Sequence, residues 1–92
     1  MSAFIITRIH VGDYDAWKTM FDQDAPGARA EAKGWRVFRG VENPGEVFIE
    51  VEFESADEAK AGRERLLAAG VLDRFPDHHG PVLVEEAETV AR

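Results

Sequence analysis

His10 stands near the end of an apolar run, two residues after Arg8. An imidazole there could act as a general base near neutral pH, provided a carboxylate steadies it. Removal of a proton next to a carbonyl, the step a cyclase or isomerase needs, calls for such a base. Glu50 and Glu52 are spaced i, i+2 on a second apolar stretch, so they share one face of a strand. Glu50 is the expected catalytic partner of His10. Arg8 and Arg36 could stabilise a carboxylate or enolate oxygen, and Trp35, Phe38 and Phe48 could hold a flat ligand. A plainer reading stands beside each of these. His10 could face solvent or bond a loop, and the two glutamates could pair with Arg8 and Arg36 as cross-strand neighbours.

Other clusters carry weaker chemistry. Asp77-His78-His79 offers three metal-ligand types, but consecutive residues on an extended chain point apart, and no HxH or HxxxH spacing occurs. No metal is expected, and this segment reads as a loop rimming a pocket, with Phe75 and Pro76 at its edge. Asp13, Asp15, Asp22 and Asp24 read as a solvated helix face, without the spacing of a calcium loop. Tyr14, Trp17 and Phe21 recur at helical spacing and read as core.

The elements that must position these groups follow from periodicity. Residues 3–11 read as the first strand. Asp13 is a helix N-cap, and the helix after it should break at Pro26. Asp24 could cap a second short helix running to about Lys33. Residues 35–41 and 47–54 read as a hairpin around Glu42-Asn43-Pro44-Gly45. In the second of these, Val47, Ile49, Val51 and Phe53 alternate with Phe48, Glu50, Glu52 and Glu54. Ser55-Ala56-Asp57-Glu58 is a capping box opening a helix that ends at Gly70, with Ala59, Gly62, Leu66 and Ala69 on its buried side. Residues 71–80 read as a loop and 81–89 as a fourth strand.

The order β-α-β-β-α-β specifies an α+β, ferredoxin-like fold: a four-stranded antiparallel sheet, helices on one face, the first and third strands central. The open face should carry Phe4, Ile6, Arg8, His10, Arg36, Phe38, Phe48, Glu50 and Glu52. Its apolar members are too many to leave in water on so small a protein, so a homodimer packed through this face is expected.

Composition narrows the function classes. The chain has 92 residues, the length of one domain, with 11 Lys+Arg against 18 Asp+Glu, a net charge of −7, and no cysteine. A scattered, outnumbered basic set argues against nucleic-acid or anionic-membrane binding. Disulfides, thiolate metal sites and a cysteine nucleophile are excluded. No apolar run has the length of a signal peptide core or a membrane span, which fits a soluble, cytoplasmic protein.

The motif Val11-Gly12-Asp13-Tyr14-Asp15-Ala16-Trp17, the hairpin strand Gly34-Trp35-Arg36-Val37-Phe38-Arg39-Gly40 and the element order resemble the dimeric α+β barrel superfamily. Within it, the chain is similar to small proteins related to antibiotic-biosynthesis monooxygenases and polyketide cyclases. The resemblance implies a homodimer with a pocket between sheet and helices or within the barrel. It implies no cofactor, and a reaction on an aromatic or polyketide-like substrate: cyclisation, isomerisation or monooxygenation. Haem-degrading relatives use an Asn on the first strand and a His on the second helix; this chain has neither. Its only asparagine, Asn43, lies in the hairpin turn. The alternative to an enzyme is a non-catalytic dimeric module that binds a ligand or another protein.

Overall fold

A computed structural model describes residues 2–92. The elements run β1 (Ala3–His10), α1 (Tyr14–Gln23), β2 (Gly34–Arg39), β3 (Glu46–Phe53), α2 (Ala56–Ala68), a single 3₁₀ turn (Val71–Arg74) and β4 (His78–Glu85). The strands form one antiparallel sheet in the order β2-β3-β1-β4, so β1 and β3 are central. This is the expected ferredoxin-like α+β arrangement.

Both expected helix starts are present. The Asp13 side chain accepts from the Ala16 amide at 3.1 Å, and the Ser55 hydroxyl accepts from the Glu58 amide at 3.2 Å. Alternation then sorts the central strands. Ala3, Ile5, Thr7 and Ile9 of β1 and Val47, Ile49, Val51 and Phe53 of β3 face the helices, and nearly all are buried. Two clusters form the core: Ala3, Ile5, Val51, Phe53 and Ala59 at one end, and Ile9, Val11, Trp17, Val47 and Leu72 at the other.

The two helices approach the sheet differently. The backbone of α2 comes close to β1, β3 and β4, whereas α1 has no comparable approach to any strand. Side-chain size explains this. The contact residues of α2 are Ala59 and Gly62, both buried. A Cβ added at Gly62 would stand 2.8 Å from the Ala28 carbonyl oxygen and 2.9 Å from the Phe53 ring. By contrast, α1 reaches the core through Trp17, Met20 and Phe21. Long side chains hold a helix away from a sheet, and space remains between them.

Two segments differ from the reading of the sequence. No second short helix follows Pro26. Asp24 ends α1 as its C-cap in the left-handed conformation (φ 44°), and residues 24–31 form turns. Gly27 is also left-handed (φ 69°), which no continuing helix allows. Likewise, His78, His79 and Gly80 are not loop but the start of β4. Pairing with β1 continues past Ile6↔Val82 to Arg8↔His79 through a register shift at Thr7. The strand therefore begins three residues early and ends at Glu85.

Candidate functional site

The register distributes the expected site residues over the open face of the sheet. Across the strands, Arg36 and Glu50 lie level with Ile6 and Val82, and Phe38 and Phe48 lie level with Arg8 and His79. His10 pairs with Glu46 at the sheet's end, while Glu50 pairs with Ile6, four residues back along β1. The carboxylate set opposite His10 is thus Glu46, not Glu50. Trp35 points to the opposite face from Arg36 and Phe38, since its rung partner is the helix-facing Val51.

The charged members of this face are paired. Arg8 Nη1 donates to both Glu46 carboxylate oxygens at 3.1 and 3.0 Å, and Nη2 to Asp77 Oδ1 at 2.8 Å. These bonds hold the Asp77 carboxyl below the usual carboxylate range and raise Arg8 above its ordinary value. Arg36 donates to Glu50 Oε1 from Nε at 3.1 Å and Nη2 at 2.7 Å. Glu52 faces Lys33 at 3.5 Å, and its carboxyl is lowered by a hydrogen bond with Ser2 first and by Lys33 second. A shallow groove of about 550 Å³ runs along one end, lined by Phe4, Trp35, Arg36, Glu50, Glu52 and Glu86 among others. Around the ion pairs stand the exposed apolar side chains Ile6, Phe38, Phe48 and Val82.

The other face holds a cavity of about 290 Å³ between the sheet and α1, in the space that Trp17 and Phe21 keep open. Ile5, Thr7, Ile9, Ile49 and Val51 form its floor, and Trp17, Met20, Phe21, Leu66, Leu72 and Phe75 its walls. Its lining is predominantly apolar, as small-molecule sites usually are. Trp17 stacks on Phe21 with ring centroids 4.9 Å apart. Thr7 supplies the one polar side chain on the helix-facing side of β1.

Arg29 enters this cavity from the turn segment after α1, a residue that periodicity did not single out. Only 9% of it is exposed. Its guanidinium carbon stands 3.7 Å from the Phe21 ring centroid and 4.5 Å from that of Trp35. Nη2 donates to the Phe21 carbonyl, and the Arg29 amide donates to Asp24 Oδ2 at 3.1 Å. Desolvation by burial pushes the guanidinium below its ordinary pKa, against the opposing field of Asp24 and Asp22. The sequence held one signal for it: an arginine in a Pro-Gly-containing segment next to the stripe of α1, read there as part of a helix.

Among the described residues, no three His, Asp or Glu side chains are grouped so as to hold a metal ion. No helix of the described chain is long and apolar enough to cross a membrane.

No protein-family profile matches this chain, and no curated protein sequence matches it. Solved structures do match, and over nearly its full length. SnoaB, a cofactor-independent oxygenase from Streptomyces nogalater solved as an asparagine-to-alanine mutant, aligns with a TM-score of 0.74 at 13% identity, covering 99% of this chain and 98% of that one. A candidate antibiotic biosynthesis monooxygenase from Nitrosomonas europaea aligns at 0.70 and 12% identity, covering 98% and 94%. A second such candidate, from Chloroflexus aurantiacus J-10-fl, aligns at 0.63 and 15%, covering 99% and 98%. The fold is the one these proteins share, and the resemblance read in the sequence holds at that level.

Proposed function

We propose that this chain is the subunit of a homodimer that binds a flat, mostly apolar small molecule in the cavity beneath α1. It acts there without a cofactor, as an oxygenase or cyclase of aromatic or polyketide-like compounds. The observation that carries this reading is the aromatic-walled cavity itself. Support comes from the fold shared with a cofactor-independent oxygenase. Within the cavity, the protein can desolvate a substrate, fix its plane against Trp17 and Phe21, and set a positive charge beside it. The dimer rests on the open face, where Ile6, Phe38, Phe48 and Val82 form an apolar group that a second copy would cover.

The test is a screen of polycyclic phenols and aromatic ketones, reading binding by tryptophan fluorescence and turnover by oxygen uptake and product mass. Wild type should bind and convert members of the series. Leu66→Trp, which fills the cavity, should do neither. Binding without conversion supports the non-catalytic module. Equal activity in Leu66→Trp removes the cavity from the mechanism.

A second reading places the chemistry on the open face. The groove there is lined by Arg36 and Glu50 from the expected set, while His10 lies at the other end of β1 and the Trp35 side chain turns to the opposite face. In this reading His10 is the base, Glu46 is the carboxylate beside it in place of Glu50, and Arg8, Phe38 and Phe48 contact the ligand. His10→Ala separates the two readings: turnover falls in that variant only if the open face does the chemistry.

A further inference from the structure

Resting on the reading of the cavity as a ligand site, we propose that Arg29 makes it selective for flat apolar molecules bearing a carboxylate. A guanidinium has five N–H donors arranged as planar forks. Here Nη2 serves the Phe21 carbonyl. Nε faces Asp24 Oδ1 at 3.8 Å, too far for a hydrogen bond. The rings of Phe21 and Trp35 cover the guanidinium carbon, so further partners must arrive at its nitrogen edge. No buried side-chain nitrogen or oxygen among the described residues is stranded without a partner. The spare donors of Arg29 therefore keep accessible surface, and Arg29 is one of the residues that line the cavity.

A purely structural role explains only part of this. Pinning the turn segment to α1 requires the bond to Phe21, and the cap on the Asp24 side requires only the Arg29 main chain. Neither requires a nine-tenths-buried cation to front an apolar cavity. A carboxylate on an aromatic body matches both parts of the site: the body meets Trp17 and Phe21, and the two oxygens meet the guanidinium edge. Asp24 sets the strength of this recognition, because it is the anion with which a ligand must share Arg29.

The experiment titrates wild type with 2-naphthoate and with its neutral isostere 2-naphthamide, reading tryptophan fluorescence. Wild type should bind the acid at least about tenfold more tightly than the amide, the scale of one charge-assisted hydrogen bond. Arg29→Gln should abolish the preference, the acid losing about tenfold more affinity than the amide. Asp24→Asn keeps the acceptor and a residue that tolerates the left-handed conformation. It should tighten the acid severalfold and leave the amide alone, and it decides the matter if Arg29→Gln does not fold. Equal affinity for acid and amide in wild type overturns the selectivity while leaving the cavity as a ligand site. A parallel fall of both ligands in Arg29→Gln, or no gain for the acid in Asp24→Asn, overturns it as well. Failure of both ligands to bind wild type overturns the cavity reading and this inference together.

Discussion

The two faces of one sheet are built from the same four strands and do opposite things. Toward the helices, β1 and β3 present Ala, Ile, Val and Phe with Thr7 as their only polar member. Toward the open side they present Phe4, Ile6, Arg8, His10, Phe48, Glu50 and Glu52, apolar and charged residues interleaved. The titratable side chains concentrate on the open face, yet most of them are already tied to one another in Arg8–Glu46, Arg8–Asp77 and Arg36–Glu50 pairs. The apolar cavity lies on the other face, with a single buried cation. On the proposed function, the face where a helix is held off by large side chains, and not the face rich in ionisable groups, carries the ligand.

The two faces should differ most when a phenylalanine is removed from each. Phe53 is fully buried against α2, so Phe53→Ala should cost about 3–5 kcal/mol in urea unfolding. Such a loss is a large share of the total stability of a domain this size. Phe48 lies on the same strand but on the open face, 41% exposed. In an isolated subunit, Phe48→Ala should cost about 1 kcal/mol or less. Similar large losses in both would mean that the open face is as buried in solution as the helix side.

Phe48→Asp asks that question directly. If a second copy covers the open face, the new carboxylate is buried among Phe38, Ile6 and their counterparts without a partner. Light scattering at micromolar concentration should then show wild type as a dimer and the variant as a monomer with an intact circular dichroism spectrum. A wild type that is monomeric at that concentration removes the homodimer.

Where the sequence was legible, the reason is local or periodic. The capping residues Asp13 and Ser55 act within three residues of themselves. The faces of β1 and β3 follow from a two-residue period, and the hairpin turn lies where Pro44 and Gly45 place it. The failures are nonlocal. Residues 24–31 carry helix formers, but their turns are fixed by Arg29 reaching back to Phe21 and by left-handed Asp24 and Gly27. The start of β4 at His78 depends on how far β1 can be followed across a register shift. The missed candidate residue, Arg29, lies in the first of these segments. Its importance comes from where a turn carries it, which no spacing rule records.

The different stand-off of the two helices gives a smaller test. Gly62→Ala should raise the intrinsic helix preference of α2 by about 1 kcal/mol. The added methyl would still collide with the Ala28 carbonyl and the Phe53 ring. Overpacking of this kind costs about 1–3 kcal/mol, so the net effect should be a loss of stability in denaturant unfolding. A gain would show that α2 can move outward as freely as α1 stands, and that the close approach is not what positions the helices.

The smallest effect should come from the ion pairs of the open face, and its sign is set by pH. The Arg8 guanidinium lowers the Asp77 carboxyl from the ordinary value of about 3.9. A group depressed in the folded state binds its proton more readily when unfolded. Its contribution to stability is thus present above the unfolded value and disappears as pH falls through the lower folded value. Asp77→Asn removes the contribution at neutral pH, and the amide has no carboxyl left to titrate. Wild type should therefore be the more stable at pH 7, and the two proteins should converge as pH falls below about 4. Because Asp77 is mostly exposed, salt should shrink the difference at pH 7. Glu52 is also lowered and titrates in both proteins, so it cancels in the comparison. Parallel stability curves across the acid range would show that the Arg8–Asp77 pair is absent in solution. A difference at pH 7 that resists salt would mean that the pair is shielded from water, which is what a second copy on the open face would do.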